Sequence, residues 1–220
     1  MSTMEKVRKR LSLIPLDQPF AAGMLAACGD RKEVIRALRK LTKSGEILRI
    51  AHGVYVKPRQ NPILGIVRPG ALEVAQALAE EEGARLAFHG AVWALKFGLT
   101  TRVMTSPTFL TDGRTQRVRT GKVLFTLRHA SPEEMRLSET QAGRAILALR
   151  WLGQPAAPQA AVGKVLLQLP ETEFARFLGL TLSTDGWITK TLRALVKPEG
   201  GTPDPSSNPR YEAESILNDC

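Results

Sequence analysis

Basic side chains are concentrated between residues 31 and 43, in a segment that also has the apolar spacing of an amphipathic helix. The cations are Arg31, Lys32, Arg36, Arg39, Lys40 and Lys43. At 100° per residue, all of them except Arg31 fall within about 100° of one another, and Val34, Leu38 and Leu41 fall on the opposite side. Arginine and lysine bind phosphates and guanine edges, and an α-helix fits the major groove of B-DNA. We therefore predict a helix that packs by one face and contacts double-stranded DNA by the other.

A solvated, cation-rich helix face is the simpler alternative for these residues. Against it, no acidic residue follows Glu33 within the segment, since Glu46 lies beyond its end. Three more candidate DNA contacts follow on a predicted hairpin, the wing, and they are Arg49, His52 and Lys57. A second metal ligand is not close to His52 in sequence, which favours a phosphate or solvent contact over a metal site. The basic residues of the first ten positions add candidate phosphate contacts, which position a protein without specifying sequence.

The net charge of the chain is unevenly distributed. The formal charge is +10, and residues 1–59 carry 13 basic and 5 acidic side chains, whereas residues 60–220 carry 18 and 16. Most of the excess therefore lies in the first quarter of the chain. Such an asymmetry indicates a polyanion-binding module attached to a nearly neutral partner domain.

Local signals predict how the basic segment is positioned. A first helix, with Val7, Leu11 and Ile14 inward, ends at Pro15. A second helix is predicted from Asp17 to Gly29, with Pro19 near its start and with Phe20, Met24 and Leu25 pointing inward. Asp30 then caps a third helix, and Glu33 is expected to complete a variant of the capping box. This helix ends near Ser44 with Gly45 after it, and two strands follow around 51–53. Three helices followed by a hairpin predict a winged helix-turn-helix.

The fold class predicted for the chain is α+β, in three parts. Residues 1–62 form the winged helix-turn-helix, residues 63–197 form a mixed α/β domain with a small antiparallel sheet, and residues 198–220 form a flexible tail rich in proline and glycine. Residues 60–62 are predicted to be a linker. In the second part, helices are predicted at 71–82, 91–97, 140–151, 160–169, 171–178 and 185–195, and strands at 108–111, around Val118 and at 123–127.

Several motifs, taken in order, resemble the AbiEi family of antitoxins. They are Leu16–Phe20, Arg36–Leu41 with Gly45, Arg49–Tyr55, Gly90-Ala91 with Leu95, Gly98–Thr101, Phe109–Gly113, Leu127–Ala130 and Ala148–Gly153. The resemblance covers about Leu16 to Gly153. One departure is His52, where the family pattern has an arginine before the wing glycine, and a histidine is mostly neutral at pH 7.

The resemblance implies a function that composition and spacing do not. An AbiEi-like protein is expected to bind inverted repeats in its own promoter as an autorepressor. Its C-terminal domain is expected to counteract a cognate nucleotidyltransferase-like toxin, directly or indirectly, in a phage-defence toxin–antitoxin system. The main alternative is a stand-alone winged-helix regulator whose second domain binds a ligand or partner. A third is a nuclease-like enzyme with scattered acids such as Glu73, Asp112 and Glu134.

Other classes of protein find little support in the sequence. Long uncharged apolar stretches are absent, so neither a membrane span nor a membrane partner is expected, and the first residues do not form a signal peptide. The two cysteines, Cys28 and Cys220, suggest neither a disulfide framework nor a metal site, and the chain is expected to be cytoplasmic. Because phosphate-binding loops and nucleophile elbows are also missing, we expect no enzymatic activity and no cofactor.

Overall fold

The structure, a computed structural model, describes residues 1–63, 65–155, 158–182 and 186–196. Over these ranges the protein is a mixed α+β fold with several helices and small sheets. The chain divides into two compact units, the first formed by Met1–Leu86 and Ser106–His129, the second by Ala87–Thr105 and Ala130–Cys220. The predicted boundary after residue 62 falls inside the first unit, so the basic segment packs with later parts of the chain. The predicted tail, residues 198–220, lies outside the described residues.

The first part of the first unit consists of helices and short strands. They are α1 (Thr3–Ser12), β1 (Pro19–Ala21), a 3₁₀ helix (Ala22–Cys28), α2 (Arg31–Lys43), β2 (Leu48–Ala51), β3 (Val54–Val56), β4 (Arg59–Asn61), β5 (Gly65–Val67) and α3 (Ala71–Glu82). Strand β6 (Leu86–Phe88) begins at the last residue of this stretch. The unit is completed by β7 (Thr108–Thr111), β8 (Gln116–Thr120) and β9 (Val123–His129).

The apolar faces of α1 and α2 share a core with the 3₁₀ helix and the hairpin. Val7 and Leu11 of α1 are buried there, together with Val34, Leu38 and Leu41 of α2. These are the residues that the helical spacing selected, which confirms the predicted inner faces of both helices. Burial of a side chain of this size contributes about 1.5–3 kcal/mol, so the core fixes which face of α2 remains in solvent.

The predicted second helix is wrong in type. Its first residues form strand β1, which pairs antiparallel with β3 and places Phe20 opposite Tyr55. The rings of these two residues lie 6.0 Å apart and are both buried. Residues 22–28 then form a 3₁₀ helix, and Met24, which was predicted to point inward, is exposed. Burial of Phe20 against Tyr55 outweighs the helix-start signals of Asp17 and Pro19 because aromatic burial is worth more than one cap.

Two predictions about strands also need correction. Residues 59–61, part of which was predicted to be a linker, form β4 and pair antiparallel with β5. The sheet of the second predicted domain is mixed, since β8 and β9 are antiparallel but β7 pairs with β9 in parallel. The pattern of apolar residues identifies β7 and β9 as strands, but it does not reveal the direction in which they run.

The second unit is helical. Its helices are α4 (Gly90–Lys96), α5 (Pro132–Leu137), α6 (Gln141–Leu152), α7 (Pro158–Gln168), α8 (Glu171–Leu182) and α9 (Trp187–Val196). All were predicted except α5, which is only 6 residues long and is started by a Ser131–Glu134 capping box. Helix α6 is its centre, with Ala142, Ala145, Ala148 and Leu149 fully buried. Among the described residues, no helix is long and apolar enough to cross a membrane.

Candidate nucleic-acid interface

Helix α2 is held at both ends by the residues predicted to do so. The side chain of Asp30 accepts a hydrogen bond from the backbone N–H of Lys32 at 3.0 Å. The helix ends at Ser44, and Gly45 follows with a φ of +77°. Glu33 does not complete the predicted capping box, because its carboxylate accepts a hydrogen bond from Thr3 Oγ1 in α1 at 2.5 Å. This bond ties the first turn of α2 to α1.

The basic face of α2 points to solvent. All six of its cations are exposed, and none of them makes an ion pair or a side-chain hydrogen bond with any described residue. Exposed cations on a helix commonly pair with acids three or four residues away, at about 0.2–0.5 kcal/mol per pair. Since no such pairs form here, the face retains its full positive charge for a partner.

The acidic residues nearest to α2 are engaged elsewhere. Glu46 accepts hydrogen bonds from Arg8 Nη2 at 2.8 Å and from Ser44 Oγ at 3.0 Å. The bond from Arg8, followed by that from Ser44, lowers the pKa of the Glu46 carboxyl. Glu46 therefore stays ionised, and its carboxylate contacts Arg8 of α1 rather than a cation of α2. Glu33, in turn, is held by Thr3.

A concavity between α2 and the β2–β3 hairpin collects part of the basic face. Its volume is about 770 Å³. Its cationic and imidazole lining consists of Arg31, Arg39, Lys43, Arg49 and His52. Lys32, Arg36 and Lys40 do not line it. Three of the six α2 cations therefore line the concavity together with the wing residues, and the other three do not.

The wing residues Arg49 and His52 contact each other. Arg49 Nη2 donates to His52 Nδ1 at 3.2 Å, and both side chains are exposed. Arg49 Nε also donates to the carbonyl of Ala51 at 3.3 Å, which keeps the guanidinium beside the hairpin tip. The next residue, Gly53, has a φ of +73°, the left-handed conformation that the turn requires.

Glu81, at the end of α3, holds the other side of the concavity. Its carboxylate accepts a hydrogen bond from the backbone N–H of Gly23 at 2.8 Å and lies against Gly53. Sequence reasoning missed this residue, because Glu81 lies 58 positions from Gly23 and within a run of three glutamates that predicts only a solvated helix end. The contact explains why the wing packs with α3 in one unit.

Replacing Gly53 with alanine should destabilise the wing by more than its conformational cost alone. An L-residue in the left-handed region costs roughly 1–2 kcal/mol. A Cβ at this position would also lie 2.7 Å from a carboxylate oxygen of Glu81, so that side chain would have to move. Gly45→Ala is the matched control, since Gly45 has a similar φ and nothing within 4 Å of the new Cβ. Urea unfolding should show the larger loss for Gly53→Ala; equal losses would refute the Glu81 contact.

Lys57, predicted to contact DNA, makes a contact within the first unit. Its Nζ donates to the carbonyl of Leu11 at 2.9 Å, at the C-terminal end of α1. A cation at this end of a helix satisfies an unpaired carbonyl and interacts favourably with the helix dipole. Lys57 is half-buried and does not line the concavity.

The difference in net charge is larger between the two compact units than between the two parts of the sequence divided at residue 59. The first unit contains 20 basic and 10 acidic residues, and the second contains 11 of each. The first unit therefore carries the whole formal charge of +10, and the second is neutral. Counting along the sequence misplaces part of this charge, because residues 106–129 are remote in sequence but belong to the first unit.

Of the acidic residues considered for catalysis, Asp112 and Glu134 have structural partners. Asp112 accepts hydrogen bonds from the backbone N–H of Arg85 at 2.7 Å and from Arg85 Nε at 2.8 Å. His129 contacts the carbonyl of Gly113 through Nδ1 at 2.8 Å. No group of three or more histidine, cysteine, aspartate or glutamate residues that could hold a metal ion occurs in the described part of the chain.

Asp112→Asn should reduce stability in a pH-dependent manner. The side-chain hydrogen bond from Arg85, followed by the backbone one, lowers the pKa of the Asp112 carboxyl. A lowered folded-state pKa contributes stability that is present above the unfolded-state pKa of about 3.9 and is lost as the pH falls through the folded-state value. Urea unfolding should therefore show a deficit in the variant at pH 7 that shrinks below about pH 4. A deficit that is the same at pH 7 and pH 3 would contradict this role.

One family model matches most of the chain. It is described as a family of unknown function, DUF6088, and the match covers residues 19–174. No curated protein and no solved structure matches the chain. The matched region begins at β1 and ends within α8, so it includes the α2 face and the concavity.

Proposed function

We propose that this chain, which belongs to the DUF6088 family, is a double-stranded-DNA-binding transcriptional regulator whose first unit contains a winged helix-turn-helix. In this proposal α1, the 3₁₀ helix and α2 are the three helices of the motif, α2 is the recognition helix, and the β2–β3 hairpin is the wing. The family is described as one of unknown function, so membership adds no activity, and the proposal rests on the first unit.

The observation that carries the proposal is the unneutralised basic face of α2 beside a basic wing. Six exposed cations without ion-pair partners among the described residues face solvent on one helix. Of the nearby acids, Glu46 is bonded to Arg8 and Glu33 to Thr3, and Glu81, which lines the concavity, accepts a hydrogen bond from the backbone N–H of Gly23. A merely solvated surface has no need to direct those acids away from the helix, whereas a polyanion-binding surface gains affinity from every phosphate that it neutralises.

The concavity between α2 and the wing suits a phosphodiester strand. When a helix enters the major groove and a hairpin reaches the adjacent groove, the sugar–phosphate backbone that separates the grooves passes between them. Arg31, Arg39 and Lys43 line one wall of the concavity, and Arg49 and His52 line the other. In the proposed complex these residues position the protein by contacts to phosphates, and Arg36 faces the bases of the groove.

The test of DNA binding uses the full chain and DNA of the gene's own upstream region. Because Gly23 and Gly53 of the motif contact Glu81, a fragment ending at residue 62 would lack part of its support. Fluorescence anisotropy should show binding to this duplex, with tighter binding than to a scrambled duplex of the same length. No binding to either duplex at low salt would overturn the proposal.

The antitoxin role is a second, separable proposal that rests on the AbiEi-like motifs. Gly98–Thr101 and Phe109–Gly113 occur in the family's order, downstream of the wing motif. On this proposal a nucleotidyltransferase-like toxin gene adjoins the gene for this chain, and co-expression of this chain restores growth. Failure of rescue, with DNA binding intact, would leave the stand-alone regulator as the function.

A further inference from the structure

The β8–β9 hairpin of the first unit carries a second group of cations that the recognition helix does not include. Residues 113–132 contain five basic and no acidic side chains. Two of the five, Arg114 and Arg128, contact other parts of the protein. The remaining three are Arg117 and Arg119 on β8 and Lys122 at the turn, and all three are exposed.

Strand geometry places Arg117 and Arg119 on one face of the hairpin. They alternate along β8 with Val118 and Thr120, which are buried. Side chains two residues apart in a strand lie on the same side, at a separation of about 7 Å. Arg68 adds a fourth cation, since its side chain passes over Gly121 at the hairpin turn, where a Cβ would come within 2.8 Å of Arg68 Cδ.

The four cations of this group, which we call the hairpin cations, are Arg68, Arg117, Arg119 and Lys122. None of them forms an ion pair or a side-chain hydrogen bond with a described residue. Two acids that contact residues of this part of the first unit are occupied, Glu82 by Arg114 and Gln116, and Asp112 by Arg85. The hairpin cations therefore resemble the cations of α2, because neither set forms ion pairs with the described residues.

The hairpin adjoins the wing. Cα atoms of β8 lie within 8 Å of Cα atoms of β2, the strand that carries Arg49. An extended arginine side chain spans a similar distance. The strand that carries Arg117 and Arg119 and the strand that carries Arg49 are therefore neighbours within the same compact unit.

We infer that the hairpin cations are a second phosphate-contact site, which extends the DNA footprint of the first unit beyond the wing. This inference rests on the proposed DNA-binding function. Its chemistry is that of a positioning site, because exposed arginine and lysine side chains on a strand face contact backbone phosphates of any sequence. DNA bound by α2 and the wing continues over β8, so the site would lengthen the contacted duplex.

The test compares the salt dependence of DNA binding in three variants of the full chain. The first, Arg117→Gln with Arg119→Gln and Lys122→Gln, should bind the upstream duplex about tenfold or more weakly at 100 mM salt. The slope of log K against log salt should be shallower by roughly 0.9 for each phosphate that the variant no longer neutralises, or about 2 to 3 in total. The second, Arg117→Lys with Arg119→Lys and Lys122→Arg, keeps the charge and should keep the slope.

The third variant is a charge-matched control in the second unit, Lys164→Gln with Lys190→Gln and Arg193→Gln. These residues are exposed, and the variant should bind like the wild type. Wild-type binding by the first variant, or equal weakening in the control, would overturn the hairpin site and leave the proposed function standing. A reduced affinity in the charge-conserving variant would overturn it as well. Failure of the wild-type chain to bind duplex DNA would instead refute the proposed function.

Discussion

Replacing Arg36 and Arg39 together with glutamine should weaken binding to the upstream duplex by roughly 60- to 20,000-fold. A good base contact by Arg36 in the major groove contributes about 1–3 kcal/mol, and a hydrogen bond from Arg39 to a charged phosphate contributes about 1.5–3 kcal/mol, so the two contribute about 2.5–6 kcal/mol. Both side chains are exposed, and neither forms an ion pair or a side-chain hydrogen bond with a described residue. The variant should therefore unfold at the same urea concentration as the wild type, and anisotropy titrations at fixed salt measure the effect on binding alone.

The two positions should also differ from each other. Arg39 lines the concavity beside the wing, whereas Arg36 does not line it. Arg39→Gln should weaken binding to the upstream and scrambled duplexes equally, because phosphates are present in both. Arg36→Gln should mainly reduce the preference for the upstream duplex. Lys190→Gln with Arg193→Gln on α9 controls for the removal of two charges, and affinity unchanged by Arg36→Gln with Arg39→Gln would refute the recognition-helix assignment.

Gly143→Ala should be among the most damaging single substitutions in the second unit, at about 3 kcal/mol of unfolding free energy. The N-terminal turn of α6 approaches the end of α5 so closely that a Cβ on Gly143 would lie within 3 Å of three backbone atoms of Leu137. Overpacking a tight site typically costs 1–3 kcal/mol, and the upper end applies because backbone atoms cannot rotate away as a side chain can. Urea unfolding measures the decrease in stability.

Gly179→Ala in α8 is the matched control for Gly143→Ala. Both glycines lie within helices of the second unit, but a Cβ on Gly179 meets nothing within 4 Å. Alanine there should stabilise the protein by about 0.5–1 kcal/mol, since glycine in a helix interior carries that penalty. If both substitutions changed stability alike, the close approach of α5 and α6 would be refuted.

The helices could be predicted because local signals and burial agree in them. Asp30, Gly45 and the spacing of Val34, Leu38 and Leu41 determine α2 without reference to the rest of the chain. The same consistency predicts α3 and α6. Strand β1 could not be predicted, because its residues carry helix-start signals and become a strand only through pairing with β3, more than thirty positions away.

The residues of the candidate site could likewise be predicted only where they lie close together in sequence. The cations of α2 and the wing were predicted because they are close in sequence. The concavity depends on Glu81, and the retention of charge on α2 depends on Arg8 and Thr3 drawing Glu46 and Glu33 away. The hairpin cations belong to a segment that sequence counting assigned to a nearly neutral domain. Such tertiary contacts between distant residues leave no periodic pattern that a single sequence can reveal.

The central claim, that the first unit binds duplex DNA by neutralising its phosphates, is tested most directly by the salt dependence of wild-type binding. The full chain should bind the upstream duplex with log K falling linearly against log salt, and a slope of about −4.5 or steeper would correspond to five or more phosphate contacts. A slope near zero, or no binding at 50 mM salt and micromolar protein, would contradict the account.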